Sequence, residues 1–203
     1  MAIEMHEGDL PADLEFGDSV AIDTETMGLN PGRDRLCVVQ LSAGDGDAHL
    51  VRFRDGAYEA PELAGLLADR AVTKIFHFAR FDIAVLERYL GVRAAPVYCT
   101  KIASRIARTY TDRHSLKDLA AELIGVEISK AQQSSDWGAE TLTDAQRGYA
   151  AADVLHLHTI RDALDAMLER EGREELARRC FEFVGHRAAL DLGGWGDVDI
   201  FAH

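Results

Sequence analysis

Four carboxylates and one tyrosine are the residues whose types and spacing can do chemistry. Asp23 and Glu25 close the segment Val20-Ala-Ile-Asp-Thr-Glu-Thr, Asp82 ends His77-Phe-Ala-Arg-Phe-Asp82, and Tyr149 and Asp153 bracket Tyr149-Ala-Ala-Ala-Asp153. A strand puts residues i and i+2 on one face, so Asp23 and Glu25 can point together. A helix puts i and i+4 on one face, so Tyr149 and Asp153 can converge as well. Carboxylates gathered that densely repel one another unless hard cations sit among them. The chemistry that wants such a cluster is phosphoryl transfer on two metal ions, roughly 4 Å apart, that clamp the attacking and leaving oxygens. The set therefore predicts a nuclease.

The elements that must position these residues are legible in outline. Ser19-Val-Ala-Ile-Asp is an apolar run ending in the first acidic pair. Leu36-Cys-Val-Val-Gln-Leu-Ser and Ala48-His-Leu-Val-Arg-Phe follow, parted by Gly44-Asp-Gly46-Asp, a strong turn signal. These three segments predict a meander with the acids at the end of its first strand. Pro61 opens a helix through Asp69, and Thr73-Lys-Ile-Phe-His predicts a fourth strand. Phe81, Val85, Leu86 and Tyr89 keep helical spacing until Gly91, and Cys99 to Arg108 forms another apolar-periodic segment. Ser115 with Asp118 caps a helix that Gly125 ends. Thr143 with Gln146 makes a fuller capping box, opening a helix expected to carry Tyr149, Asp153, Leu157 and Ile160 together. A last helix is expected from about Arg173 to Leu190. The glycine-rich tail after it, either disordered or docked, carries Trp195, Ile200 and Phe201, apolar residues that predict docking, with a neighbouring subunit as a candidate surface.

Bulk properties narrow the classes. A chain of 203 residues fits one domain, read here as a catalytic core over about 18–170 followed by a C-terminal helix and tail over 171–203. No run of eighteen apolar residues exists, and Met1-Ala-Ile-Glu-Met-His-Glu-Gly-Asp lacks the pattern of an export signal. Cys37, Cys99 and Cys180 are too widely spaced for a zinc site and predict free thiols in a reducing compartment; the expected location is cytoplasmic. Lys plus Arg number 22 against 35 for Asp plus Glu, a formal net charge of −13. Proteins that bind long nucleic acid draw much of their affinity from neutralising phosphates, and this balance is poorly built for that. Composition thus tilts a nuclease reading toward short substrates or a locally basic groove.

Taken alone, each acidic element is weak, since Asp-x-Glu is common on surfaces and Tyr-x-x-x-Asp arises by chance in many helices. Order, spacing and setting make the set specific. It resembles the DEDD superfamily of 3′-to-5′ exonucleases in its tyrosine-bearing branch. Asp23-Thr-Glu25-Thr-Met-Gly-Leu29 matches the first motif, Phe81-Asp82 the second and Tyr149-x-x-x-Asp153 the third. The sister branch has a histidine five residues before the last aspartate, where this chain has Gly148. Arg33-Asp-Arg-Leu-Cys-Val-Val-Gln40, Thr100-Lys-Ile-Ala-Ser, His114-Ser-Leu-Lys-Asp-Leu and Ser134-Ser-Asp-Trp137 further resemble the ribonuclease D type, over roughly residues 18–170. The short length and the tail Leu192-Gly-Gly-Trp-Gly-Asp-Val-Asp-Ile-Phe-Ala-His are similar to a narrower group, the nanoRNase C family of bacterial short-RNA exonucleases.

That resemblance implies an α/β fold of the ribonuclease H-like kind, a mixed sheet flanked by helices. It implies hydrolysis of very short RNA, dinucleotides especially, to nucleoside 5′-monophosphates, by a homo-oligomer, an octamer in that family. Asp23, Glu25, Asp82 and Asp153 would hold two divalent cations, and Tyr149 would orient the attacking water, positioning being the safer role for a phenol whose usual pKa is about 10. An all-oxygen donor set suits Mg2+ or Mn2+ better than zinc. Thr26, Leu29, His77 and Lys130 are the candidate substrate contacts. Three of them have a bland counterpart: core packing for Leu29, a strand-end hydrogen bond for His77, a solvated loop for Lys130. Trp137 reads as a core or loop anchor, and His156 and His158 as structural. Two other functions compete, a general 3′-to-5′ exonuclease on longer or structured RNA or DNA, and a non-catalytic scaffold on a degenerate exonuclease fold. All five expected functional residues are present, which argues against the scaffold.

Overall fold

Residues 2–54, 56–129 and 131–203 are described by the structure, a computed structural model. Six strands form one sheet: β1 (Ile3–Glu7), β2 (Ser19–Thr26), β3 (Leu36–Ser42), β4 (Ala48–Arg52), β5 (Thr73–Phe76) and β6 (Val97–Cys99). Their order across the sheet is β1-β4-β3-β2-β5-β6. The β2–β3 and β3–β4 pairs are antiparallel, as the meander predicted, whereas β1–β4, β2–β5 and β5–β6 are parallel. Only β3 therefore runs against the rest, and the C-terminal ends of β2, β5 and β6 lie side by side. In such sheets the loops at those ends are where ligands bind.

Seven helices flank the sheet: α1 (Pro61–Ala68), α2 (Ala79–Leu90), α3 (Thr100–Ala107), α4 (Leu116–Leu119), α5 (Asp144–Leu155), α6 (Leu157–Glu171) and α7 (Glu174–Leu190). β2 alternates between two apolar layers, as a strand covered on both faces must. Val20 and Ile22 pack with Leu63 and Leu67 of α1, Ala79 and Ile83 of α2, and Val184 and Ala188 of α7. Ala21 packs on the other face with Ile75, Ala151 and Val154 of α5, and Leu157, Ile160 and Leu164 of α6. A third, smaller cluster joins Cys37, Val38 and Leu50 to Trp137, Leu142 and Ala150. Among the described residues no helix is long and apolar enough to cross a membrane.

Several expectations are corrected. β1 escaped prediction because Glu4, His6 and Glu7 interrupt its apolar residues; it is an edge strand with no fully buried position. β6 is three residues long and ends at Cys99, which periodicity had assigned to the following helix. The helix capped by Ser115 continues past α4 as a π-helical turn, Ala120–Ile124, before Gly125 ends it in the left-handed region. The single helix expected from Thr143 through Ile160 is two. His156, at φ −107° and ψ −3°, separates α5 from α6.

His158, one turn into the neighbourhood of that break, lies against the β3–β4 turn. Gly44 there has φ +81°, and a Cβ on it would meet the His158 ring at 2.8 Å. Both the backbone and the space demand glycine. Gly44→Ala is expected to lower unfolding free energy by about 1–3 kcal/mol, read as a reduced denaturant midpoint with an unchanged m-value.

Candidate active site

The first two acids come from the end of β2. Hydrogen bonding to β3 on one side and to β5 on the other fixes this strand, and its register slips between Glu25 and Thr26, a bulge that re-aims the strand end. Asp23 and Glu25 share a face, as period two requires. Thr24 points to the opposite face, where its hydroxyl donates to Asp82 Oδ1 at 2.7 Å. Asp153 arrives on α5. The capping box sets that helix's start: Thr143 Oγ1 accepts from Gln146 N at 3.2 Å while Gln146 Oε1 accepts from Thr143 N at 2.9 Å. Gln146 Nε2 also donates to Asp136 O at 3.0 Å, tying the loop before the helix to its first turn. The buried alanines at 150 and 151 let α5 lie close on the sheet.

Together these elements bring carboxylate oxygens of Asp23, Glu25 and Asp153 within 4.8 Å of one another. Tyr149, one turn before Asp153, is hydrogen bonded to it. Asp82 stands apart from this trio, buried at the start of α2 and held by Thr24 from the other face of the sheet. It is still near enough for its charge to act on Asp23 and Glu25. The five residues singled out in the sequence thus converge, three as a tight oxygen cluster, Asp82 behind it and Tyr149 beside it.

Electrostatics make this cluster an unhappy one by itself. Burial, reinforced by the charges of Asp82, Asp153 and Glu25, pushes Asp23 well above the usual carboxylate range. Burial, then Asp153 and Asp82, raises Glu25 to about 9. Burial raises Asp82 to about 7 against the opposing hydrogen bond from Thr24. Burial and the neighbouring carboxylates hold the Tyr149 phenol above its ordinary value, so it remains a protonated donor. The donors are all oxygen and their crowding is relieved by positive charge, which is what a hard divalent cation offers. The residues present fit such ions.

The cluster forms the floor of a cleft of about 650 Å³. Thr26 and Leu29 line it from the segment after β2, and His77 from the end of β5. Leu29 is 88 % exposed, so the core-packing reading fails for it. Gly28 allows this arrangement, because a Cβ there would meet Asp34 Oδ2 at 2.2 Å inside the turn. His77 does both things the sequence allowed: its Nδ1 lies 2.9 Å from Thr100 Oγ1, and the ring borders the cleft. Thr26 lines the cleft while its hydroxyl donates to Gly28 O. Lys130 lies outside the described residues. Trp137 is buried, as a core anchor should be, yet also borders the cleft, with its ring centroid 6.0 Å from that of Tyr149. His158 is structural, with Nε2 3.4 Å from Ser19 O. Sequence reasoning gave no substrate role to Phe78, Lys101, Ser115 and Lys117, although all four stand in the quoted stretches and also line the cleft. Phe78 stood inside a quoted motif, but nothing in residue type or spacing marks it; its signal is in the backbone.

The tail docks on its own chain. Arg80, inside the second motif, pairs with Asp191 at 2.5 Å and donates to Gly196 O at 2.8 Å, while Arg187 donates to Gly196 O at 2.7 Å.

A family model for the 3′-5′ exonuclease matches residues 6–169, a span that holds all five residues. The chain belongs to the 3′-5′ exonuclease family. A ribonuclease D from Acidiphilium cryptum is 40 % identical over 154 residues, 76 % of this chain and 39 % of its own length. This exonuclease thus spans about two-fifths of the curated ribonuclease D relatives it matches. A structure of Brucella melitensis NrnC bound to pGG is similar at 56 % identity and a TM-score of 0.97, covering 100 % of this chain and 99 % of that one. Another, of the same protein with bound Mg2+, has 55 % identity and a TM-score of 0.96, each chain being covered in full. Escherichia coli RNase D is 26 % identical with a TM-score of 0.75, over 85 % of this chain and 45 % of that one. The mixed sheet between helices is the ribonuclease H-like arrangement of these exonucleases.

Because three carboxylates crowd one spot, neutralising one should help the metal-free fold and remove its response to metal. Asp23→Asn is expected to raise the melting temperature of the exonuclease in a chelator by a few degrees, about 1 kcal/mol, and to abolish the upward shift that magnesium gives the wild type. Differential scanning calorimetry with and without magnesium reads both effects.

Proposed function

We propose that this exonuclease hydrolyses very short RNA, dinucleotides above all, to nucleoside 5′-monophosphates, with two divalent cations held by Asp23, Glu25, Asp153 and Asp82. The observation that carries the proposal is the coincidence of an oxygen-only cluster with a cleft of about 650 Å³, within the range of roughly 300–1,000 Å³ typical of small-molecule sites. Such a cleft suits one or two nucleotides better than a duplex. The likeness to NrnC bound to pGG, and to NrnC with bound Mg2+, across nearly the whole of both chains supports the same reading. So does the net charge of −13, which disfavours long polyanions.

When bound, magnesium or manganese would lower the pKa of a water and offset charge on the scissile phosphate and its leaving oxygen. Asp23, Glu25 and Asp153 would supply the oxygens that hold such ions, and the rigid placement of these side chains would fix where the scissile phosphate is bound. Asp82 completes the set from the opposite face, its orientation fixed by Thr24. Tyr149 keeps its proton and orients the water through its hydroxyl. Thr26, Leu29 and His77 are assigned to substrate because all three border the cleft; Lys130 keeps its candidacy from the sequence alone. A homo-oligomer belongs to the same proposal, supported by the exposed Trp195, Val198, Ile200 and Phe201 in the tail. A cytoplasmic site of action is proposed with it, in keeping with the free cysteines.

A second reading, a general 3′-5′ exonuclease on longer RNA or DNA, is favoured by the ribonuclease D relatives. A cleavage time course in magnesium on labelled RNAs of two, three, five and twenty nucleotides separates the two. Much faster loss of the dinucleotide supports the proposal, and equal shortening of all lengths from the 3′ end replaces it with the general reading. Under either, Tyr149→Phe should lower kcat by about 10²-fold while leaving KM nearly unchanged, in single-turnover and steady-state assays alike.

A further inference from the structure

Phe78 is the only non-glycine residue with a positive φ among those described, at φ 70° and ψ 43°. It occupies the left-handed region between β5 and α2, and its carbonyl accepts from Phe81 N at 3.0 Å in the first turn of the helix that carries Asp82. The turn itself explains why some residue must be left-handed here. It does not explain phenylalanine, since glycine takes that conformation freely and asparagine at little cost. Core packing does not explain it either. The side chain is 43 % exposed and belongs to none of the three apolar clusters, whereas Phe81, three residues on, packs against the largest of them. What the ring does do is line the cleft above Asp23, Glu25 and Asp153. An aromatic kept in a costly conformation beside a reactive cluster, with little packing to reward it, is the pattern of a functional residue.

Its surroundings specify the function. The Lys101 ammonium, at the start of α3, lies over the Phe78 ring, 4.3 Å from the centroid. That contact steadies the ring from one face by attraction to its π-cloud and places a cation at the cleft wall. A planar group can stack on the face that the ammonium leaves, and a phosphate can meet the ammonium. Both are parts of a nucleotide. We infer that Phe78, backed by Lys101, is a base-stacking residue that holds a nucleobase of the substrate. The inference rests on the proposed action on short RNA and adds to it the residue that recognises the base. Stacking on an aromatic face is tolerant of base identity, so Phe78 would require a base without choosing among the four.

Dinucleotide binding to the full-length protein, measured by calorimetry in calcium, reads this independently of turnover; hydrolysis in magnesium reads it a second time. The substrates are an intact RNA dinucleotide and its analogues abasic at the 5′ or the 3′ residue. The wild type should prefer the intact form over one of the two analogues by about 10-fold or more. Phe78→Gly should raise Kd and KM for the intact dinucleotide by a similar factor and lose the preference, while its melting temperature stays level or rises because the backbone strain is relieved. Phe78→Tyr should keep both affinity and preference. If Phe78→Gly binds intact and abasic dinucleotides with the wild-type preference, the inference is overturned. A wild type that binds dinucleotides with this preference yet cleaves twenty-nucleotide RNA equally fast overturns the short-substrate proposal and leaves the base-stacking assignment standing. A variant with a lowered melting temperature and unchanged preference would show that the ring is structural, which also overturns it.

Discussion

Like charges packed at the end of one strand are the constraint to which the rest of the molecule answers. Asp23, Glu25 and Asp153 hold their oxygens within 4.8 Å, with Asp82 acting on them from behind, and burial raises the pKa of Asp23, Glu25 and Asp82, so that each resists ionising beside the others. Left to itself, a segment carrying such charges would move apart. It cannot, because β2 is hydrogen bonded on both edges and covered by helices on both faces. The capping box of α5 and the loop pinned by Gln146 oppose the remaining freedom, that of sliding Asp153 away. The strain is thus built into a rigid frame, and the frame gives the cluster its appetite for divalent cations.

Placing Thr24 between Asp23 and Glu25 has a further effect. Because successive residues of a strand point to opposite faces, one short sequence serves both layers. Two acids face α5, and the hydroxyl between them reaches back to Asp82 on α2. The fourth carboxylate is therefore oriented by the strand that delivers the first two, and a shift of β2 would disturb all of them together. A side chain unable to donate at position 24 would leave Asp82 held by backbone hydrogen bonds alone, a loss the oxygen cluster does not reveal.

How much of this was legible in the sequence follows the range of the forces involved. Local patterns sufficed for β2, β3, β4 and β5, for α2 and α7, and for the caps at Ser115 and Thr143, since apolar periodicity and side-chain capping act within a few residues. The pairing of Asp23 with Glu25 and of Tyr149 with Asp153 was legible from i, i+2 and i, i+4 spacing, whereas their meeting with one another and with Asp82 was implied by the resemblance to the DEDD exonucleases. β1 and β6 were not legible, since an edge strand with charged residues and a three-residue strand owe their existence to partners distant in the chain. The break at His156 was invisible for a similar reason: the apolar spacing continues across it, and α6 turns away to pack on α3. Phe78 escaped because no residue-type rule announces a phenylalanine at positive φ.

An acidic protein that handles polyanions poses a problem that the cleft resolves by position. Against Asp23, Glu25 and Asp153 on the floor stand Lys101 and Lys117 on the walls. Most arginines of the chain are spent in pairs with acids, among them Arg80 with Asp191, Arg93 with Glu87, and Arg108 and Arg113 with Glu122. Pairing of this kind offsets much of the positive charge outside the cleft, while Lys101 and Lys117 place theirs on its walls. That distribution is in keeping with the proposed action on very short RNA. The repelling carboxylates after β2 and the left-handed phenylalanine after β5 sit at the ends of adjacent parallel strands. Each is a local cost in the free protein, the first relieved by a bound cation and the second offset by the stacking of a bound base, and their adjacency is how a small sheet concentrates recognition and chemistry in one cleft.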